Sequence, residues 1–307
     1  MSINSQNVLD YPNNNTIFMV WNFRKGIVVK AAFKKLCELI GNLNNSANTR
    51  FPNAKASVVL GIGYDAWHLL DLRQPLPKEF EAFTPIAGAK HTAVATKGDL
   101  HLHIRSDEYS FCVDAAMVIT DTLNNVAEGV EEIHGFRYWD SRSILGFVDG
   151  TENPQGTDRQ YFGIVGKEDP CYEGGSYLFV QKYLHDMDAW KLLPVNEQEK
   201  VIGRSKTDDI EMPDGVKPSN SHSALANVGD DFKIVRDNMP FGNVSTNNMG
   251  TYFIAYASSF QTIKKMLTNM YIGSPEGNYD RILDFSIPKT GTLFFVPTFE
   301  MLDSFGN

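Results

Sequence analysis

Asp149 stands in the segment GFVDG, directly after the apolar residues Phe147 and Val148. A carboxylate held at the edge of a dry pocket has a raised pKa and can act as a general acid or base. Asp is also a common turn residue, in which the carboxylate bonds its own backbone, and composition alone favours that second interpretation. Asp149 is therefore a candidate for proton transfer whose role the residue type leaves open.

Histidines at two places could bind metal. His101 and His103 alternate on one predicted strand, but a zinc site needs three or four ligands and no third lies nearby in the sequence. A half-exposed strand face is the favoured interpretation for this pair. His222 is followed by the small residues Ser223 and Ala224. A lone His is more often structural, yet a single neutral imidazole is all that haem iron requires from one side.

Arg236 follows the predicted strand segment FKIV, with Asp237 beside it and Asn238 two residues on. It is either a surface Arg paired with an acid, or a cation that faces the same cavity as Asp149. In the second case the guanidinium keeps that carboxylate ionised and stabilises negative charge that develops on oxygen.

Residues 61–66, GIGYDA, match the dinucleotide-binding pattern G-x-G-x-x-A after a predicted strand. That fingerprint belongs to a parallel βαβ unit in which the next strand ends in an acidic residue. The following region reads LPKEFEAFTP, which is not a strand. A nucleotide-dependent oxidoreductase is therefore a minor alternative.

The spacing of apolar residues predicts the elements that must position these side chains. The first half has strands at 17–23, 56–62, 100–104 and 133–139, helices at 29–40 and 112–123, and an Asn-rich loop at 42–49. The order βαββαβ is the ferredoxin-like unit.

The same order returns in the second half of the chain. It has strands at 177–180, 232–235, 251–257 and 292–296 and helices at 187–193 and 260–270. The first strands, which start at residues 17 and 177, lie 160 positions apart, as do positions 133 and 293 in the last strands. An internal repeat fixes the architecture. We expect an α+β fold of tandem ferredoxin-like βαββαβ units, each an antiparallel sheet with helices on one face, of the dimeric α/β-barrel type, with domains at 1–150 and 151–307.

Composition excludes several classes of protein. With 307 residues, 42% of them hydrophobic and 21% charged, the chain is typical of globular proteins. Its net charge of −9 argues against nucleic acid and anionic membranes as partners. No segment approaches the ~18 to 20 apolar residues of a membrane span, and the start resembles no targeting signal, so we expect a cytoplasmic protein. Cys37, Cys112 and Cys171 are too scattered for a disulfide framework.

The segment GFVDGTENP at 146–154 resembles the dye-decolorizing peroxidase family, whose signature is G-x-x-D-G. Five further segments follow in the order and approximate spacing of that family, especially of its class B members: IGRSKTDDIEM, SHSALANV, IVRDNMPFG, YDRILDF and GTLFFVPT. The resemblance covers essentially the whole chain and implies the same tandem fold, with the haem pocket in the second domain.

The resemblance implies a peroxidase that contains haem b (iron protoporphyrin IX), reduces hydrogen peroxide through a ferryl intermediate, and oxidises dyes, phenols or other one-electron donors. His222 matches the proximal iron ligand, and Asp280 matches the acid that hydrogen-bonds this His. Asp149, Arg236 and Asn238 match the catalytic residues on the distal side.

Arg236 and Arg204 are the other haem contacts that the resemblance implies, Arg204 through a propionate. The expected partners are hydrogen peroxide and a small-molecule reductant. A homo-oligomer is also implied, and exposed sheet edges favour it too. No packaging partner is identified, since the tail MLDSFGN contains no obvious docking peptide. A haem-binding or haem-handling protein without turnover is the alternative function.

Overall fold

The computed structural model describes residues 4–306, which form twelve β-strands and nine α-helices. The strands are β1 (Asn15–Phe23), β2 (Ser57–Gly63), β3 (Ile86–Ala87), β4 (Thr92–Ala93), β5 (Leu100–Ser106), β6 (Ala127–Phe136), β7 (Ser176–His185), β8 (Val235–Arg236), β9 (Met239–Asn243), β10 (Asn248–Ala257), β11 (Ser286–Pro288) and β12 (Thr292–Val296). The helices are α1 (Lys30–Arg50), α2 (Tyr64–Leu69), α3 (Tyr109–Leu123), α4 (Gly156–Gly163), α5 (Met187–Leu192), α6 (Val195–Ile202), α7 (His222–Ala226), α8 (Phe260–Tyr271) and α9 (Phe299–Phe305).

Eight strands of the ten-stranded main sheet form two four-stranded antiparallel sheets, and the short β8 and β11 pair at their sides. The first has the order β2-β5-β1-β6 and the second the order β12-β7-β10-β9. Each therefore has its first and third strands in the centre, which is the ferredoxin-like arrangement. The predicted α+β fold of two tandem units is confirmed.

The two sheets close into a barrel of eight strands. β12 pairs with β2 at Phe294 and Gly63, and β6 pairs with β9 at Gly135 and Phe241. All four outer strands of the units are therefore engaged in pairing. Exposed edges of separate sheets no longer supply a physical reason for a homo-oligomer.

Side chains alternate between the inside and the outside of this barrel, because successive residues of a strand point to opposite faces. Phe18 and Val20 of β1 belong to the apolar cluster inside the barrel. Ile17 and Met19 belong to the cluster outside, which α1 and α3 cover. Apolar residues on both faces of the same strand mark a sheet that is buried on both sides.

The prediction of a loop at the Asn-rich segment 42–49 is wrong, because this segment belongs to α1. Asn44 is buried, and its amide group donates to the Val58 carbonyl at 2.9 Å and accepts from the Val58 N–H at 3.0 Å. These tertiary bonds to β2, together with burial of Ala47, override the modest helix propensity of Asn.

The prediction of a strand at 232–235 is also wrong, because the second strand of the second unit is β9. Only Val235 of the predicted segment lies in a strand, the short β8. β6 begins at Ala127, six residues before the predicted start, since its polar residues hide the apolar pattern. Both errors shift a boundary but leave the order of elements intact.

The dinucleotide-binding alternative is excluded by the neighbours of β2. β5 and β12 both run antiparallel to it, so no parallel βαβ unit exists at this place. The glycines serve packing instead. A Cβ on Gly63 would lie 1.9 Å from the Gly98 carbonyl oxygen, and one on Gly61 would lie 3.0 Å from atoms of Leu178 and Phe294.

No helix within residues 4–306 is both long enough and apolar enough to span a membrane.

His101 and His103 lie inside the barrel with no exposed surface, so the predicted half-exposed face is wrong. Barrel closure buries both faces of β5. His103 Nδ1 hydrogen-bonds Tyr256 Oη at 2.8 Å, whereas neither ring nitrogen of His101 has a partner among the described residues. Burial lowers the pKa of His101 to about 3.

We expect His101→Leu to make the protein less sensitive to acid. Between the ordinary pKa of 6.5 and the lowered value, the unfolded chain holds a proton at His101 that the folded chain does not. The free energy of unfolding of the unsubstituted protein therefore falls as the pH falls, by about 2 kcal/mol between pH 7 and pH 5 from this residue. Urea unfolding at the two pH values measures the difference. The exposed His68, replaced by Gln, is the control, and an unchanged pH dependence in His101→Leu contradicts the expectation.

Candidate active site

A cavity of about 1620 Å³, measured with its solvent-open mouth, lies outside the barrel of the second unit. It is bounded by β7 and β10 on the sheet side and by α7 and α8 on the helix side. Its apolar walls are formed by Leu145, Phe147, Ile202, Phe253, Ile263, Met266, Leu267, Met270 and Ile282. Mainly apolar walls with a few convergent polar groups are typical of a cofactor site.

His222 is the first residue of α7 and lines this cavity. Its Nδ1 lies 2.7 Å from Oδ2 of Asp280, which has no exposed surface. The other carboxylate oxygen of Asp280 accepts the Ile282 N–H at 3.0 Å. Because an acceptor fixes the proton on Nδ1, Nε2 keeps its lone pair, and no described residue hydrogen-bonds it.

Gly203 lets α6 end directly against the helix of His222. Its φ is +88°, and an added Cβ would lie 2.2 Å from Ser223 Oγ and 2.7 Å from Ser221 Oγ. Both serines flank His222 in sequence. A left-handed conformation and a close approach together require glycine here.

Asp149, Arg236 and Asn238 come together at the same cavity. Asn238 Nδ2 donates to Asp149 Oδ2 at 3.0 Å, and Arg236 Nη1 lies 3.8 Å from Asp149 Oδ1. The carboxylate therefore bonds a neighbouring side chain rather than its own backbone as in the turn interpretation. Exposure of the Asp149 side chain is 24% and that of Arg236 is 20%, so solvent screens their attraction only in part.

Hydrogen bonds between side chains and backbone groups hold these residues in place. Asn153 accepts the Arg236 N–H at 2.9 Å through Oδ1 and donates to the Arg236 carbonyl at 2.8 Å through Nδ2. Asn238 Oδ1 accepts the Ile254 N–H of β10 at 3.1 Å. The loop of Asp149 is thereby tied to the strand segment of Arg236.

Arg204 also lines the cavity, but its guanidinium is already engaged. Nε donates to Asp209 Oδ1 at 2.7 Å, and Nη1 lies 3.6 Å from Glu152 and 3.9 Å from Glu211. Three carboxylates offset its charge. Arg204 is consequently a weaker candidate than Arg236 for an anionic group of a cofactor.

Several lining residues were not recognised from the sequence as parts of a site. His185 is buried, and its ring nitrogens lie 2.8 Å from Ser286 Oγ and 2.8 Å from Thr251 Oγ1. Burial lowers its pKa to about 4. Phe253 of β10 and the inner face of α8 complete the wall. Apolar periodicity predicts that such faces are buried but does not distinguish a core from a cofactor wall.

The residues present fit a haem group. Within residues 4–306 there is no cluster of three His, Cys, Asp or Glu that could hold a bare metal ion. A single imidazole with a free Nε2 suits an iron whose other ligands come from a macrocycle, and the apolar walls suit the macrocycle itself.

Two family profiles match the chain: "Dyp-type peroxidase, N-terminal" over residues 6–137 and "Dyp-type peroxidase, C-terminal" over residues 140–301. The chain belongs to the Dyp-type peroxidase family. A dye-decolorizing peroxidase of Rhodococcus erythropolis is 48% identical over 291 residues, which cover 94% of this chain and 84% of that protein. The expected family and peroxidase activity are confirmed, and these relatives support turnover rather than haem handling alone.

Solved structures of the family agree. The crystal structure of a dye-decolorizing peroxidase from Bacteroides thetaiotaomicron superposes with a TM-score of 0.97 at 47% identity, covering 100% of this chain and 99% of that one. A DypB variant from Rhodococcus jostii, in complex with heme, superposes with a TM-score of 0.92 at 41% identity, covering 99% of each chain. The tandem ferredoxin-like fold is thus the fold of these peroxidases.

We expect Gly203→Ala to lower the free energy of unfolding more than Gly215→Ala does. A left-handed conformation costs an L-residue roughly 1–2 kcal/mol, and the contacts with Ser221 and Ser223 add about 1–3 kcal/mol of overpacking. Gly215→Ala is the matched control, because Gly215 has a φ of +82° but nothing within 4 Å of an added Cβ. Urea unfolding measures both variants, and equal losses contradict the packing argument.

Proposed function

We propose that the chain binds haem b in this cavity, reduces hydrogen peroxide there, and oxidises dyes, phenols or other one-electron donors. The observation that supports this is the meeting of two groups of side chains at one cavity. His222 and Asp280 form the first group, and Asp149, Arg236 and Asn238 form the second.

His222 would hold the haem through Nε2. When bound, haem supplies the redox-active iron that exchanges electrons with peroxide and with the donors. Asp280 accepts the hydrogen bond from Nδ1 and gives the imidazole anionic character, which favours the oxidised states of the cofactor. Arg236 is the better-placed cation for a haem propionate, since Arg204 is engaged by Asp209.

Asp149 is the proposed acid and base for peroxide. Its carboxylate accepts a proton from one peroxide oxygen and returns it to the other, so that this second oxygen leaves as water. Arg236, 3.8 Å from the carboxylate, stabilises the negative charge that develops as the O–O bond breaks. Asn238 donates to Oδ2 and so orients the carboxylate for both transfers.

We expect Asp149→Asn to slow the reaction with hydrogen peroxide by about 10²- to 10⁴-fold, because an amide cannot accept the proton. Stopped-flow absorbance of the haem-loaded protein measures the rate constant. Asp158→Asn is the control: it removes the same charge from an exposed position of α4 and should leave the rate unchanged. A rate for Asp149→Asn equal to that of the unsubstituted protein would show that this residue transfers no proton.

We expect Asp280→Asn to raise the reduction potential of the bound haem. Asn keeps the shape of the side chain but accepts a weaker hydrogen bond, so the imidazole donates less electron density. The shift should be on the order of 0.1 V, part of the roughly 0.8 V range set by axial ligation. Spectroelectrochemical titration measures it, again with Asp158→Asn as the control. An unchanged potential argues against His222 as the iron ligand or against its polarisation by Asp280.

A further inference from the structure

The segment that carries Arg236 and Asn238 also carries a buried carboxylate between them. Arg236 and Asn238 line the cavity outside the barrel. Asp237 and Met239 point the other way and are 1% and 2% exposed. This is the alternation of a β-strand, in which neighbouring side chains lie on opposite faces.

The segment keeps one register along β10, although two residues separate β8 from β9. Arg236 pairs with Ala255 in β8, and Met239 pairs with Tyr252 in β9. Between these pairs the Asp237 N–H donates to a β10 carbonyl at 3.2 Å. Residues 235–243 therefore behave as one strand, and the direction of each side chain is coupled to that of its neighbours.

Inside the barrel Asp237 meets Arg105 of β5, which belongs to the first unit. Arg105 Nη1 donates to Asp237 Oδ2 at 2.5 Å, and His103 Nε2 lies 3.5 Å from the same oxygen. Arg105 has no exposed surface. The ion pair is thus sealed from solvent and links the two halves of the barrel.

Arg105 is itself fixed by further acceptors. Its Nε donates to Ser57 Oγ at 3.1 Å, its Nη1 also donates to the Asp10 carbonyl at 3.4 Å, and its Nη2 donates to the Asn7 carbonyl. Four acceptors hold the guanidinium in one orientation. It is a rigid anchor for the Asp237 carboxylate.

This anchor stabilises the observed orientation of the strand, together with Val235, Met239 and Phe241, which pack in the apolar cluster inside the barrel. A buried carboxylate without a partner costs several kcal/mol, so Asp237 must point to Arg105. A slip of one residue would put Asp237 in the cavity and turn Arg236 and Asn238 into the barrel. We propose that Asp237 is a positioning residue: through Arg105 it holds Arg236 and Asn238 at the site where peroxide reacts. The inference rests on the proposed function of those two residues.

Asp237→Asn in the haem-loaded enzyme tests the inference. We expect the rate constant for hydrogen peroxide, measured by stopped-flow absorbance, to fall by about 10- to 100-fold, because small displacements of a positioned group cost this much. The dissociation constant for fluoride, an anionic probe of Arg236, should rise in parallel in an absorbance titration. A folded Asp237→Asn protein with unchanged peroxide rate and fluoride affinity overturns the inference.

A combined substitution separates positioning from general stability. Because Asp237 is proposed to act through Arg236 and Asn238, adding Asp237→Asn to a variant that carries both Arg236→Leu and Asn238→Ala should slow the peroxide reaction by no more than about twofold further. Independent, multiplying losses contradict the inference. If Arg236→Leu alone leaves the rate unchanged, the proposed function fails. If Arg236→Leu slows the reaction and Asp237→Asn does not, only the positioning role fails.

Glu131→Gln is the matched control. Glu131 of β6 pairs with Lys182 of β7 at 3.1 Å, so it also forms a partly buried ion pair between the two units, but neither residue lies in 235–243. We expect its peroxide rate and fluoride affinity to equal those of the unsubstituted enzyme, and an equal loss in both variants contradicts a specific role for Asp237. Should Asp237→Asn not fold, Arg105→Gln with Asp237→Asn replaces it in the same tests, since the neutral pair leaves no unpaired buried charge.

Discussion

The hydrogen bond between His222 Nδ1 and Asp280 Oδ2, 2.7 Å long, determines which nitrogen of the imidazole is available to a ligand. Asp280 is fully buried and its second oxygen is occupied by the Ile282 N–H, so the carboxylate cannot turn away to solvent. Nε2 is therefore the ring nitrogen left for the cavity. Gly203 lets α7 pack in this position, and the apolar walls of the cavity suit a ligand that is large and flat.

Closure of the barrel gives the second constraint. Each strand has one row of side chains inside the barrel and one outside, and the cavity lies outside. The proposed roles of Arg236 and Asn238 therefore involve Asp237, which lies between them in sequence and points inside. Leu145, Phe147 and Asp149, which precede residue 151, line the cavity, and the first unit also supplies Arg105 as the partner of Asp237. A one-unit protein with the same second half would lack that anchor. This gives a physical reason for both units in an enzyme whose reactive cavity is bounded by β7 and β10.

The order of elements could be predicted from the sequence, and so could the residues that meet at the cavity, but for different reasons. Local periodicity was enough for α3 and α8, because each has one clearly buried face, and the apolar run of β12 marked a strand that is buried throughout. For α1 it predicted only the part that ends at residue 40. His222 and Asp149 were found through the resemblance, since the residue types alone favoured ordinary structural roles. Three features could not be predicted: the burial of His101 and His103, which follows from closure of the barrel, the helical Asn44 bonded to β2, and the strand β9. The spacing of apolar residues encodes none of these contacts: the His103–Tyr256 bond joins distant parts of the chain, Asn44 bonds Val58 of the next strand, and β9 is defined by its hairpin with β10.

A crystal structure of the haem-loaded protein tests the central claim most directly. We expect His222 Nε2 to coordinate the iron, with Asp280 still bonded to Nδ1, and the side chains of Asp149, Arg236 and Asn238 to lie on the other face of the porphyrin. Iron bound by a different side chain, or a porphyrin with Asp149 and Arg236 away from its open face, would contradict the claim.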